Sequence, residues 1–118
     1  MKRIVVAEDD PFAAKIISLL MGKINQDYVL TETGKQLLEA LQQEHYKLAL
    51  VDYRLPDFNG LEITKIIKQQ HPHIPVIIQS ADLTESLRKK LLEAGASEII
   101  QKPLAKKDLE AILQKFGK

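Results

Sequence analysis

The sequence contains no cysteine, which removes disulfide bridges, thiolate metal ligands and cysteine nucleophiles together. It also has no apolar run near the roughly 20 residues that a helix needs to cross a bilayer. Neither sign of charge is in excess: 17 Lys+Arg stand against 16 Asp+Glu, a formal net charge of +1. That balance argues against a dedicated nucleic-acid binder, which carries a strongly basic face. The opening Met-Lys-Arg-Ile-Val-Val-Ala turns acidic at Glu8 and lacks the longer apolar stretch and cleavage site of a signal peptide. What is present, 45% hydrophobic and 28% charged residues in a chain of 118, fits one soluble globular domain over 1–118, expected in the cytoplasm. No linker, repeat or low-complexity segment interrupts it.

Apolar periodicity switches back and forth five times. Residues 4–7 form a short continuous apolar run, as expected of a strand buried on both faces. Phe12, Ala13, Ile16, Ile17, Leu20 and Met21 then recur at helical spacing, with Gly22 as the expected stop. A weaker strand at 28–30 precedes a helix marked by Leu37, Leu38 and Leu41, and residues 48–51 make the third strand, ending in Asp52. Residues 54–60, with Pro56, Asp57 and Asn59-Gly60, read as a loop. Ile63, Ile66 and Ile67 mark a third helix, 75–79 a fourth strand, and Leu83, Leu87, Leu91 and Leu92 a fourth helix stopped near Gly95. A short strand at 98–101 leads through Lys102-Pro103 into a last helix with Leu109, Ile112, Leu113 and Phe116. This β-α alternation with short links predicts an α/β fold with a parallel sheet covered by helices on both faces.

In open α/β sheets the chemistry gathers at the carboxyl ends of the strands. Here those ends carry Glu8-Asp9-Asp10, Asp52, Ser80 and Lys102. Carboxylates held together repel and raise one another's pKa unless a cation intervenes, and an oxygen-rich site of this kind suits Mg²⁺. The three histidines, His45, His71 and His73, fall at a helix end and in a Pro-containing loop, and read as exposed loop residues away from this rim. Each rim residue also has a plain structural use. Asp10 before Pro11 suits the cap of the first helix. Ser80 and Asp82 suit the cap of the fourth, with Glu85 completing a capping-box pattern after Asp82. Asp52 could start a turn, and Lys102 could be a solvated surface lysine. Their joint placement at four strand ends favours a shared site.

Four stretches in order, 4–11, 50–62, 77–81 and 95–104, resemble the receiver domain of two-component response regulators, and the likeness covers essentially the whole chain. The resemblance implies a doubly wound, flavodoxin-like (βα)5 sandwich whose five-stranded sheet runs in order 2-1-3-4-5. It implies Asp52 as the phosphoacceptor, phosphorylated from the phosphohistidine of a histidine kinase or a histidine phosphotransfer protein. It implies Mg²⁺ as cofactor, held by Glu8, Asp9, Asp52 and the backbone carbonyl of Arg54. Ser80 matches the hydroxyl switch and Lys102 the phosphate-contacting lysine before a cis proline. Phosphorylation would reposition the face made by the fourth helix, fifth strand and fifth helix, with a phosphorylation-linked dimer as one outcome and the downstream effector unspecified. Such a domain is a phosphoacceptor in signal transduction and not an enzyme in its own right, and it contacts neither nucleic acid nor membrane.

Three positions depart from the family's commonest pattern. Ile99 stands where many receivers carry Tyr or Phe, Ala105 where a capping Ser, Thr or Asp is frequent, and Asn59 where Asp is usual before Gly60. Arg54 and Asp82, each two residues beyond a site residue, are expected to pair across the pocket mouth. Competing readings are a receiver belonging to a larger hybrid histidine kinase or multidomain regulator, and an aspartate-nucleophile phosphatase. The phosphatase needs a second acid two residues after the nucleophile, where this sequence has Arg54. No Gly-x-Gly-x-x-Gly follows the first strand, which argues against a dinucleotide module.

Overall fold

Apolar residues on both sides of each central strand can be dried only by two helical layers, and that is the arrangement found. The computed structural model describes residues 2–117. Its elements are β1 (Ile4–Ala7), α1 (Pro11–Lys23), β2 (Tyr28–Thr31), α2 (Gly34–Gln43), β3 (Ala49–Asp52), α3 (Gly60–Gln70), β4 (Val76–Ser80), α4 (Glu85–Glu93), β5 (Glu98–Gln101) and α5 (Lys106–Phe116). All strand pairs are parallel, in the order β2-β1-β3-β4-β5 expected from the sequence.

Alternate residues feed the two layers. Val5, Ala7, Ala49, Val51, Val76 and Ile78 pack with Leu37, Ile63, Ile67 and Leu91 from α2, α3 and α4. Ile4, Val6, Leu50 and Ile77 pack with Ile17, Met21, Leu109 and Ile112 from α1 and α5. β1, β3 and β4 are buried along their whole length, so truncating Leu50 or Ile77 to Ala would cost about 2–5 kcal/mol. The register aligns Ala7 with Val51 and Asp52 with Gln79, which brings the carboxyl ends of β1, β3 and β4 level.

Asp10 caps α1 as expected, its carboxylate accepting from the Ala13 N–H at 2.9 Å. The expected stop at Gly22 does not hold: the helix runs through Gly22 to Lys23, and Asn25, at φ 55°, supplies the left-handed turn instead. Asparagine tolerates that region, and the Gln26 N–H closes the turn on the Met21 carbonyl at 2.9 Å. α4 does end near Gly95, whose φ of 110° places it where side chains rarely go. The cap of α4 is a second correction. Neither Ser80 nor Asp82 caps it; Thr84 does, accepting from the Leu87 N–H at 3.1 Å, because the helix begins only at Glu85. Asn59 caps α3 in a capping box with Glu62, as its place before Gly60 suggests. Ala105, extended at the start of α5, offers no side-chain cap, and its own N–H is taken up by Asp108 at 2.9 Å.

Candidate functional site

The site forms where β1, β3, β4 and β5 end. Glu8 extends β1, is 1% exposed, and is held there by its N–H donating to the Thr31 carbonyl at 2.9 Å. Asp9 follows and is exposed. Asp52 closes β3 and is 7% exposed. One carboxylate oxygen from each of Glu8, Asp9 and Asp52 lies within 4.8 Å of the others. Lys102 comes from just beyond β5, where its backbone N–H donates to the Ser80 carbonyl at 2.9 Å and its peptide bond to Pro103 is cis. The ammonium lies 2.7 Å from Glu8 Oε1 and 3.1 Å from Asp52 Oδ1, so a single cation bridges two of the three carboxylates.

The electrostatics follow from that crowding. Burial pushes the Glu8 carboxyl above its usual value; the Lys102 hydrogen bond pulls it back, and the neighbouring Asp52 charge adds to the rise. Burial alone would lower Lys102, but its hydrogen bonds to Glu8 and Asp52 outweigh that and hold it above the usual lysine value. Two carboxylates sharing one ammonium, with a third beside them, leave net negative charge facing solvent. The donor set is all carboxylate oxygen, which fits a hard divalent cation such as Mg²⁺.

The remaining expected residues sit around this centre. Ser80, 4% exposed at the end of β4, accepts from the Asp82 N–H at 3.3 Å. Arg54 places its guanidinium 3.4 Å from the Asp82 carboxylate, and both side chains are 77% exposed. The expected pairing is therefore present, at the surface. The loop carrying Arg54 is closed on itself: Leu55 N–H donates to the Phe58 carbonyl at 3.1 Å, and Gly60 N–H to the Tyr53 carbonyl at 2.6 Å. A side chain at Gly60 would place its Cβ 2.8 Å from the Tyr53 ring, so only glycine permits this closure. Ile99 is 4% exposed in the α2–α4 layer, and Arg88 of α4 reaches over it to its carbonyl at 3.5 Å.

The histidines lie away from the site, beside the amino ends of β3 and β4. His45 and His73 are exposed, but His71 departs from expectation: as the C-cap of α3 it is half-buried, and its Nε2 is buried without a hydrogen-bond partner. Two further residues carry roles that the sequence pattern hides. Asp57 reaches across to α2, accepting from the Gly34 and Lys35 N–H groups at 2.8 and 2.9 Å. Gln79 lies buried beside Asp52 in the register, where an apolar residue would be expected. The one hint at Gln79 is a polar side chain within the strand, directly after the run Val76-Ile77-Ile78.

Comparison with known proteins matches this geometry. The family model described as "Response regulator receiver domain" matches residues 4–114. The transcriptional regulatory protein ZraR of Escherichia coli K12 is 31% identical over 112 residues, 95% of this chain and 25% of that protein. The signal transduction histidine-protein kinase BarA of the same organism is 30% identical over 116 residues, 96% of this chain and 12% of that protein. The chain thus spans a quarter or less of the length of these relatives. Among solved structures, the receiver domain of sensor histidine kinase PA1611 from Pseudomonas aeruginosa PAO1 superposes with a TM-score of 0.87 at 26% identity, covering 98% of this chain and 96% of that one. That structure has a magnesium ion coordinated in its active site cleft. With the family matched over nearly its full length and the parallel 2-1-3-4-5 sheet in place, this chain belongs to the response regulator receiver domain family of two-component signal transduction.

Proposed function

We propose that Asp52 is the phosphoacceptor of this receiver, taking a phosphoryl group from the phosphohistidine of a histidine kinase or histidine phosphotransfer protein. The observation that carries this reading is the Lys102 ammonium lying between Glu8 and Asp52 beside the exposed Asp9. A carboxylate oxygen of Asp52 attacks phosphorus in line, the P–N bond breaks, and the imidazole leaves with the electron pair. Lys102 acts as a fixed point charge toward the phosphoryl oxygens. Glu8, Asp9, Asp52 and the Arg54 carbonyl would hold Mg²⁺, which supplies charge neutralisation between an anionic nucleophile and an anionic phosphoryl group. The Ser80 hydroxyl then donates to the phosphoryl group and draws the β4–α4 segment inward, biasing the α4-β5-α5 face between two states. With Ile99 in place of an aromatic ring, Arg88 links α4 to β5 through the Ile99 carbonyl at 3.5 Å and the Glu98 carboxylate at 4.0 Å. Hydrolysis of the acyl phosphate resets the domain, and no catalysis on an external substrate is assigned to it.

The relatives include both transcriptional regulators and hybrid kinases, so the output belongs to whatever protein carries the domain, with phosphorylation-linked dimerisation one way of delivering it. No helix of the described residues is long and apolar enough to cross a membrane. Incubation with acetyl phosphate and Mg²⁺ followed by intact mass measurement tests the assignment. The wild type should gain one phosphate; Asp52→Ala, or chelation, should abolish the gain. An adduct that persists in Asp52→Ala would overturn it.

A further inference from the structure

We propose that Gln79 is a phosphoryl-binding residue, its side-chain amide held idle in the unmodified domain and taken up by a phosphoryl oxygen when Asp52 is phosphorylated. The inference rests on Asp52 being the phosphoacceptor. Gln79 is 2% exposed, yet its Nε2 has no hydrogen-bond partner among the described residues. Buried donors are nearly always paired, and one left unpaired calls for a reason. Among the described residues the only other such side-chain atom is His71 Nε2, at the opposite end of the sheet.

The position of Gln79 supplies the reason. Asp52 and Gln79 are register partners on the adjacent strands β3 and β4. The parity of the pleat puts both on the α1–α5 face, because Leu50 and Ile77, two residues earlier in each strand, pack into that layer. Glu8, two residues after Val6 of the same layer, completes a row of three across β1, β3 and β4. Lys102 already bonds the first two members of the row, and it lines one cleft with Gln79, Asp10, Phe12 and Pro103. Neighbouring strands lie about 4.8 Å apart, a gap that a glutamine side chain can span.

The chemistry of the reaction matches the group left unpaired. Converting a carboxylate to an acyl phosphate adds oxygens that accept hydrogen bonds and adds no donor. An unpartnered primary amide in the neighbouring register position therefore answers a demand that exists only after phosphorylation. Leucine or methionine would fill the same space and serve the apolar layer better, but could not answer that demand.

Beryllofluoride with Mg²⁺, standing in for the phosphoryl group, gives the test. It would be titrated into wild type, Gln79→Leu and Gln79→Met and followed by ¹H–¹⁵N NMR, with the Gln79 side-chain NH₂ signals identified by their loss in the variants. Saturating beryllofluoride should move those signals downfield in the wild type. Both variants should bind beryllofluoride about tenfold more weakly, a difference of about 1.4 kcal/mol, while being at least as stable without it. A purely structural glutamine would give unmoved NH₂ signals and equal affinities, and that result overturns the inference while leaving Asp52 as phosphoacceptor. If neither variant folds, the wild-type NH₂ signals, assigned instead by through-bond correlation to the Gln79 side chain, decide alone. If the wild type binds no beryllofluoride and acetyl phosphate adds no mass, the phosphoacceptor assignment fails and this inference falls with it.

Discussion

Lys102 and Glu8 meet at 2.7 Å across 94 positions of sequence, and the Glu8 side chain has no exposure of its own. Removing the cation strands two carboxylates, Glu8 and Asp52, whereas removing Glu8 with it leaves only Asp52 without its partner. Lys102→Met should therefore destabilise the fold by about 1–3 kcal/mol, below the usual buried-pair loss because Lys102 keeps 21% exposure. The double variant Glu8→Gln/Lys102→Met should recover the part due to Glu8, with Asp52 still lacking its ammonium. Urea unfolding in chelator measures both; equal losses in the single and double variants would show that the pair carries no coupling.

Arg54 and Asp82 form a pair of another kind, at 3.4 Å with both side chains 77% exposed. Solvent and salt screen such a contact, so Arg54→Ala or Asp82→Ala should change folding stability by less than about 0.5 kcal/mol. On the proposal that Asp52 is phosphorylated and that this pair limits water access to it, the effect falls on the lifetime of the acyl phosphate. Dephosphorylation should quicken in both variants and, in the wild type, with added salt. Unchanged rates in both variants would remove the idea.

Asp57 predicts a pH dependence remote from the carboxylate cluster. Slight burial works to raise its carboxyl, but the Lys35 and Gly34 N–H groups outweigh that and hold it below the ordinary value of 3.8. A depressed folded pKa contributes stability above the unfolded value and loses it as pH falls through the folded one. Asp57→Asn, which mimics the protonated acid, should cost about 0.5–1 kcal/mol near neutral pH, modest because the residue is exposed. The gap should narrow below pH 3.8. Paired urea titrations across that range check it, and a gap constant with pH would mean the carboxylate charge contributes nothing.

Ala105 leaves the start of α5 without a side-chain acceptor while already holding extended cap geometry, φ −107° and ψ 160°. Ala105→Ser should gain about 0.5–2 kcal/mol by thermal or urea unfolding. Thr84→Ala at the start of α4 should lose a similar amount, and Asp82→Ala should not, which separates the observed cap from the one that sequence spacing suggests.

The layered fold was readable because β1, β3 and β4 are unbroken apolar runs, and only a strand with helices on both sides buries such a run. The rim was readable for a related reason: the runs of β1 and β3 stop at Glu8 and Asp52, and that of β4 gives way to Gln79 and Ser80. Helix ends were less so. Asp82 and Glu85 have capping-box spacing, but the helix starts later and Thr84 is used, a choice made by where the β4–α4 segment leaves the sheet. Gly22 stays helical because nothing near it forces a left-handed turn, while Asn25 accepts one. Asp57 and Gln79 were hidden because their partners, α2 and Asp52, come from other parts of the chain, and local spacing carries no trace of cross-strand register.

The two segments that flank the site at the ends of β3 and β4 differ in how they are bonded. On the β3–α3 side, residues 53–60 are bonded to one another, capped into α3 by Asn59 and pinned to α2 by Asp57. On the β4–α4 side, Ser80 holds Asp82 at 3.3 Å, and α4 is capped independently by Thr84. Under the proposed phosphorylation of Asp52, a pull on the site would meet a braced segment on one side and a more sparsely bonded one on the other. Displacement would then run toward α4 and β5, a direction written into the bonding of the unmodified domain.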